Sequence, residues 1–72
     1  MFVLMSLING ELNAEGFHSR APARRMLRHQ AACQLNVPEE KLNAHIRDTG
    51  DPGEISEDAI RYNNIQWLIK EV

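Results

Sequence analysis

The chain has 72 residues, of which 43% are apolar and 25% charged, and its formal net charge is −2. These values describe one small globular domain and exclude a disordered tail, a collagen-like repeat and a long membrane-spanning run. They also exclude the overall basic footprint of a dedicated nucleic-acid binder, leaving such binding to a local basic face.

Met1 to Ile8 is a nearly unbroken apolar stretch, too short to span a bilayer and without the basic lead of a secretion signal. Asn9-Gly10 follows, the dipeptide favoured where a two-residue hairpin needs positive φ at both central positions, so the first expectation is a hairpin with residues 11–17 returning. The rival is a short buried helix capped at Gly10, because periodicity does not separate the two in so short a run. An edge strand at residues 2–8 would also offer a pairing surface to a second copy, giving a homodimer.

Ser19-Arg20-Ala21-Pro22 reads as a helix entry, with Pro22 in the first turn where its missing N–H costs nothing. The first helix is expected over 22–36. Met26, Leu27, Ala31 and Leu35 gather on one side of it, while Arg24, Arg25, Arg28 and His29 lie largely on the other. No acidic residue shares this helix with Arg24 and Arg28, so the basic stripe reads as available charge, either solvated or facing phosphates or an acidic protein.

Asn36-Val37-Pro38 breaks that helix, since the residue before proline leaves the helical region and Asn tolerates a left-handed conformation. A second helix is expected over 38–49, with Glu39 and Glu40 against the positive end of its dipole and Gly50 at its end. Asp51-Pro52-Gly53 supplies a tight turn. A third helix is expected over 56–71, opened by Ser56 as N-cap with Glu57 and Asp58 in its first turn, and presenting Ile65, Leu68, Ile69 and Val72. Ile60 and Trp67 fall on a separate flank of it, either completing the core or anchoring a partner.

The offsets from Ala32 to Asn36, Val37, Leu42, Ile46 and Gly50 are those of two short helices packed across a corner. In these positions the stretch 31–50 resembles a helix-turn-helix of the Fis type. The resemblance implies nucleic-acid binding, with Lys41, Asn43, His45 and Arg47 on the reading helix and Arg24, Arg25 and Arg28 on phosphates. Asn36 stands where that type has its turn glycine, and Glu39 and Glu40 would face the phosphates, so the stretch argues for shape more than for activity. Arg20-Ala21-Pro22-Ala23-Arg24-Arg25 together with Asp48 to Ile60 is similar in part to the peripheral-subunit-binding domain of 2-oxo-acid dehydrogenase acyltransferases. Thr49, Gly50, Gly53, Ile55 and Ser56 fit its loop, whereas Glu54 and Ala59 depart from it. That resemblance implies a protein-docking module.

Catalytic chemistry has no foothold: Glu39-Glu40 and Glu57-Asp58 are helix starts rather than carboxylates opposed across a cleft, and no phosphate-cradling glycine loop is present. His29 and Cys33 stand four apart, with His18 or His45 as a third ligand for a metal, but no second ligand pair supports a site, and no metal or cofactor is expected. Cys33 is the only cysteine, which suits a reducing cytoplasm.

The sequence therefore predicts a small α+β or mainly α domain, an N-terminal hairpin or extended segment over 1–18 packed on a three-helix unit over 22–71 with a helix-turn-helix-like corner. It predicts a non-enzymatic regulatory or adaptor protein, with no membrane association. Its partner is either nucleic acid or a protein docked on the Arg24, Arg25 and Arg28 stripe or the Ile60 and Trp67 flank.

Overall fold

A computed structural model describes residues 1–72. Five strands form one antiparallel sheet: β1 (Phe2–Ile8), β2 (Glu11–Phe17), β3 (Gly53–Ile55), β4 (Ala59–Tyr62) and β5 (Ile65–Glu71), in the order β2-β1-β5-β4-β3. Two helices, α1 (Arg20–Leu35) and α2 (Leu42–Thr49), lie on one face, with a single 3₁₀ turn (Glu39–Lys41) between them. No helix is long and apolar enough to cross a membrane.

The N-terminal hairpin forms because Asn9 and Gly10 both adopt positive φ, 53° and 79°, the geometry whose twist matches the flanking strands. Ile8 therefore opposes Glu11, and the register runs back to Phe2 opposite Phe17. α1 ends at a left-handed Asn36, φ 57° and ψ 48°, whose N–H closes the last turn onto the Ala32 and Cys33 carbonyls. α2 is shorter than expected, since residues 39–41 wind as the 3₁₀ turn and only Leu42–Thr49 is α-helical.

The third helix does not exist. Residues 56–71 form a turn followed by the hairpin of β4 and β5, closed by Asn63-Asn64 with Asn63 at φ 53°. Trp67 and Ile69 are buried at alternate positions of β5, while Gln66, Leu68 and Lys70, which alternate with them, are exposed. Period-two burial of β-branched and aromatic residues, together with pairing to β1, outweighs the helical spacing of Ile65, Leu68, Ile69 and Val72. Leu68 and Val72, which completed that apparent stripe, are 39% and 73% exposed.

The helix-turn-helix reading falls with it. α1 packs chiefly across β5 and β1, and α2 chiefly against β3, so each helix is held by the sheet and they touch each other little. A helix-turn-helix needs its two helices to brace one another with the second free to enter a groove. The partial likeness to peripheral-subunit-binding domains fails for the related reason that its loop leads here into a strand.

One core lies between the helices and the inner sheet face. Leu4, Ile60, Trp67 and Ile69 come from the sheet, Ala23, Leu27, Ala31 and Ala32 from α1, and Leu42 and Ile46 from α2. The alanines let α1 sit close to the strands. Gly53 and Gly50 perform the same service for α2, since a Cβ on Gly53 would run into the Ile46 carbonyl. β1 lies inside the sheet, with β2 on one side and β5 on the other, so the expected homodimer through residues 2–8 has no free edge to use.

Candidate functional site

The basic face of α1 divides into two halves with different partners. At its N-terminal half, Arg24 Nε donates to Asp58 Oδ1 at 2.7 Å and its terminal nitrogen lies 3.1 Å from Glu57. Arg20 stands 3.6 Å from the other Asp58 oxygen and 4.0 Å from Glu71, with its guanidinium 4.8 Å from the centre of the Phe2 ring. The hydrogen bond from Arg24, with the charges of Arg24 and Arg20, holds the Asp58 carboxyl below its ordinary range despite partial burial, and Asp58 in turn raises Arg24. The expectation that Arg24 carries available charge is therefore corrected: Arg24 fastens α1 to the β3–β4 turn. Ser56 shapes that turn rather than capping a helix, its N–H bonding the Ala59 carbonyl at 2.8 Å and its hydroxyl reaching the same oxygen at 3.3 Å.

At the C-terminal half, Arg28 donates to Asn43 Oδ1 at 2.8 Å and to the Glu39 carbonyl at 3.0 Å. Both acceptors are neutral, so the guanidinium is oriented without being neutralised. It lines a groove of about 330 Å³ between α1, α2 and the β3–β4 turn, together with Arg24, Asn43, Arg47, Ser56 and Glu57. Neither Arg28 nor Arg47 has a carboxylate within ion-pair distance. Four of the sequence-selected residues, Arg24, Arg28, Asn43 and Arg47, thus meet in one groove.

The others do not join them. Arg25 and Lys41 are exposed outside the groove. His45 turns to Tyr62, stacking with ring centres 5.5 Å apart, and the Tyr62 hydroxyl meets Thr49 Oγ1 at 2.8 Å. Ile60 and Trp67 have no exposed surface and sit opposite one another in the β4–β5 register, so they belong to the core and form no docking flank. Sequence reasoning missed Glu57, Asp58 and Ser56 as companions of the arginines. Their spacing is that of a helix start, and nothing local marks a carboxylate that pairs with a helix far back in the chain.

His29 Nε2 lies 3.8 Å from the Cys33 sulfur and His29 Nδ1 4.0 Å from Glu39, all at the surface. No group of three or more His, Cys, Asp or Glu side chains is arranged to hold a metal ion. Compared with known proteins, the chain matches no family model, no curated protein and no solved structure.

Proposed function

We propose that the protein is a small non-enzymatic adaptor that docks on a protein partner, its α1–α2 groove receiving an acidic side chain of that partner. The observation that carries this reading is the pair Arg28 and Arg47, facing one groove beside Asn43 with no carboxylate against them. A guanidinium held in place by neutral acceptors offers its remaining donors to a carboxylate at little ordering cost. The exposed free thiol of Cys33 accords with a cytoplasmic setting.

A nucleic-acid partner is favoured less. Glu57 shares the groove, so an extended phosphate backbone would meet its carboxylate beside the two arginines, whereas a single acidic side chain need reach only Arg28 and Arg47. Titration of the labelled protein with an acidic glutamate-rich peptide is expected to shift the Asn43, Arg47 and Ser56 amides, and Arg47→Glu to weaken that binding at least about tenfold. No shift at millimolar peptide refutes the reading. Tighter binding to duplex DNA, falling steeply with salt, replaces it with a nucleic-acid one.

A further inference from the structure

We infer that the free edge of β2 is a docking site for an extended segment of another protein that carries Lys or Arg at alternate positions, added to the sheet as a sixth strand. This surface lies apart from the α1–α2 groove and does not depend on its role.

The inference begins with backbone groups. In a two-residue hairpin the residues flanking the turn bond each other, so Ile8–Glu11, Ser6–Asn13, Leu4–Glu15 and Phe2–Phe17 are the bonded pairs. The alternation continues across the sheet, where the Val72 N–H meets the Met1 carbonyl at 2.9 Å and the Ile69 N–H meets the Asp58 carbonyl at 2.8 Å. It follows that the N–H and C=O groups of Leu12, Ala14 and Gly16 point away from β1 into solvent. Six of the seven residues of β2 are exposed; α1 touches the strand, but β2 is the terminal strand of the sheet and no strand pairs with its outer edge. Natural sheets blunt such an edge with proline, a bulge, a covering element or charged side chains; β2 has none of the first three, and its charges, Glu11 and Glu15, are both negative, so they bar a neutral or acidic strand and admit a basic one.

The side chains specify what that strand carries. Glu11 and Glu15 oppose Ile8 and Leu4, which places both on the helix side of the sheet, and neither has an ion-pair partner. Between β2 and α1 lies an open cleft of about 670 Å³, with Leu4 and Ser6 at its floor, Asn13 and Glu15 on one wall and His29 and Gln30 on the other. On the opposite face Leu12 and Ala14 continue the apolar surface of Met5, Leu7 and Leu68. A sixth strand, ~4.8 Å beyond β2, would set alternate side chains beside the unpaired carboxylates of Glu11 and Glu15, the latter lining the cleft, and the intervening ones beside Leu12. Basic inward and apolar outward is the complementary pattern.

A second copy of this chain fits less well. An antiparallel β2–β2 pair centred on Asn13 opposes Glu11 to Glu15, and one centred on Glu15 opposes that residue to itself. Centring on Ala14 avoids direct opposition but leaves four carboxylates on one face of the joined ribbon, Glu15 diagonal to both glutamates of its mate.

The test uses the full chain and a seven-residue peptide alternating lysine and valine, with the matching glutamate–valine peptide as comparison. The lysine peptide is expected to slow amide exchange at Leu12, Ala14 and Gly16 at least tenfold, and the glutamate peptide to leave it unchanged. Ala14→Pro, which removes an outward donor without touching the β1 ladder, is expected to abolish the protection. Glu11→Lys with Glu15→Lys, at exposed positions that keep the fold should Ala14→Pro lose it, is expected to reverse the peptide preference. Equal protection by both peptides, protection located elsewhere, or a β2-dependent dimer seen by sedimentation without peptide would overturn the inference.

Discussion

Replacing Trp67 by Ala separates a core residue from a partner anchor. The indole is wholly buried, set between Ser6 on β1 and Ile60 on β4 in the strand register. Removing a buried Trp ring to Ala costs about 3–5 kcal/mol in transfer and cavity terms. A domain of 72 residues has a total stability of roughly 4–11 kcal/mol at the usual value per residue. Trp67→Ala is therefore expected to consume a large share of the stability, moving the urea midpoint down by several molar at a slope of about 1 kcal/mol per molar. Far-UV circular dichroism reads the transition, because Trp67 is the only tryptophan and its loss removes the fluorescence signal. The indole N–H adds a second, sharper expectation. It is buried with no hydrogen-bond partner, a condition that costs about 1–3 kcal/mol. Trp67→Phe keeps a ring and removes the orphaned donor, so its net cost should stay within about 1.5 kcal/mol. A Trp67→Ala midpoint equal to wild type would refute the placement of the ring, and a Trp67→Phe penalty as large as that of Trp67→Ala would refute the account of the N–H.

Three further expectations follow from the backbone and the ion pairs. Asn36→Ala places a Cβ residue without Asn's local hydrogen-bonding capacity at φ 57°, and should cost about 1 kcal/mol in thermal denaturation, whereas Asn36→Gly should cost nothing or stabilise slightly. Gly53→Ala drives a methyl toward the Ile46 carbonyl and should destabilise by about 1–3 kcal/mol, with amide shifts concentrated where α2 meets β3. The folded Asp58 carboxyl titrates below its unfolded value because Arg24 bonds its charged form, so its contribution is present above the unfolded value and lost as pH falls through the folded one. Wild type should therefore exceed Asp58→Asn in denaturation midpoint at neutral pH, and the difference should shrink as pH falls through the folded Asp58 value. A difference independent of pH would show that Asp58 acts without its charge.

Where the chain's own neighbours decide the structure, the sequence was legible. Asn9-Gly10 announces the first hairpin, Asn36-Val37-Pro38 announces the end of α1, and Gly50 announces the end of α2. Beyond Ser56 two readings of the same letters compete. Ser56-Glu57-Asp58 has the composition of a helix start, but its carboxylates answer Arg24 and Arg20, and its serine closes a turn. Ile65, Trp67 and Ile69 alternate as a strand requires, while exposed Leu68 and Val72 counterfeit a helical stripe. What breaks the tie is pairing between β5 and β1, from opposite ends of the chain, which local propensity does not contain. The candidate site suffered similarly: Arg28, Asn43 and Arg47 were selected as donors, but which arginine is neutralised depends on that same distant turn.

The sheet order makes β1–β5 the one seam joining the N-terminal hairpin to the C-terminal meander of β3, β4 and β5. Each of those pieces closes through short turns, while the seam spans nearly the whole chain and must be secured by what lies over it. α1 lies over it, packed across both seam strands, and Arg24 and Arg20 tie that helix to Asp58 in the β3–β4 turn and to Glu71 at the end of β5. Arg20 and Arg24 are thereby accounted for by architecture, while Arg25 points to solvent. Arg28 is accounted for only in part, since its bonds to Asn43 and the Glu39 carbonyl fix its direction and leave its charge unanswered. Arg47, one turn along α2 from Asn43, has no structural partner at all among the ion pairs. A groove in which the charges needed for folding are already matched and two others remain unmatched is where recognition is expected to act, and it is there that charge reversal at Arg47 should change binding without changing the urea midpoint.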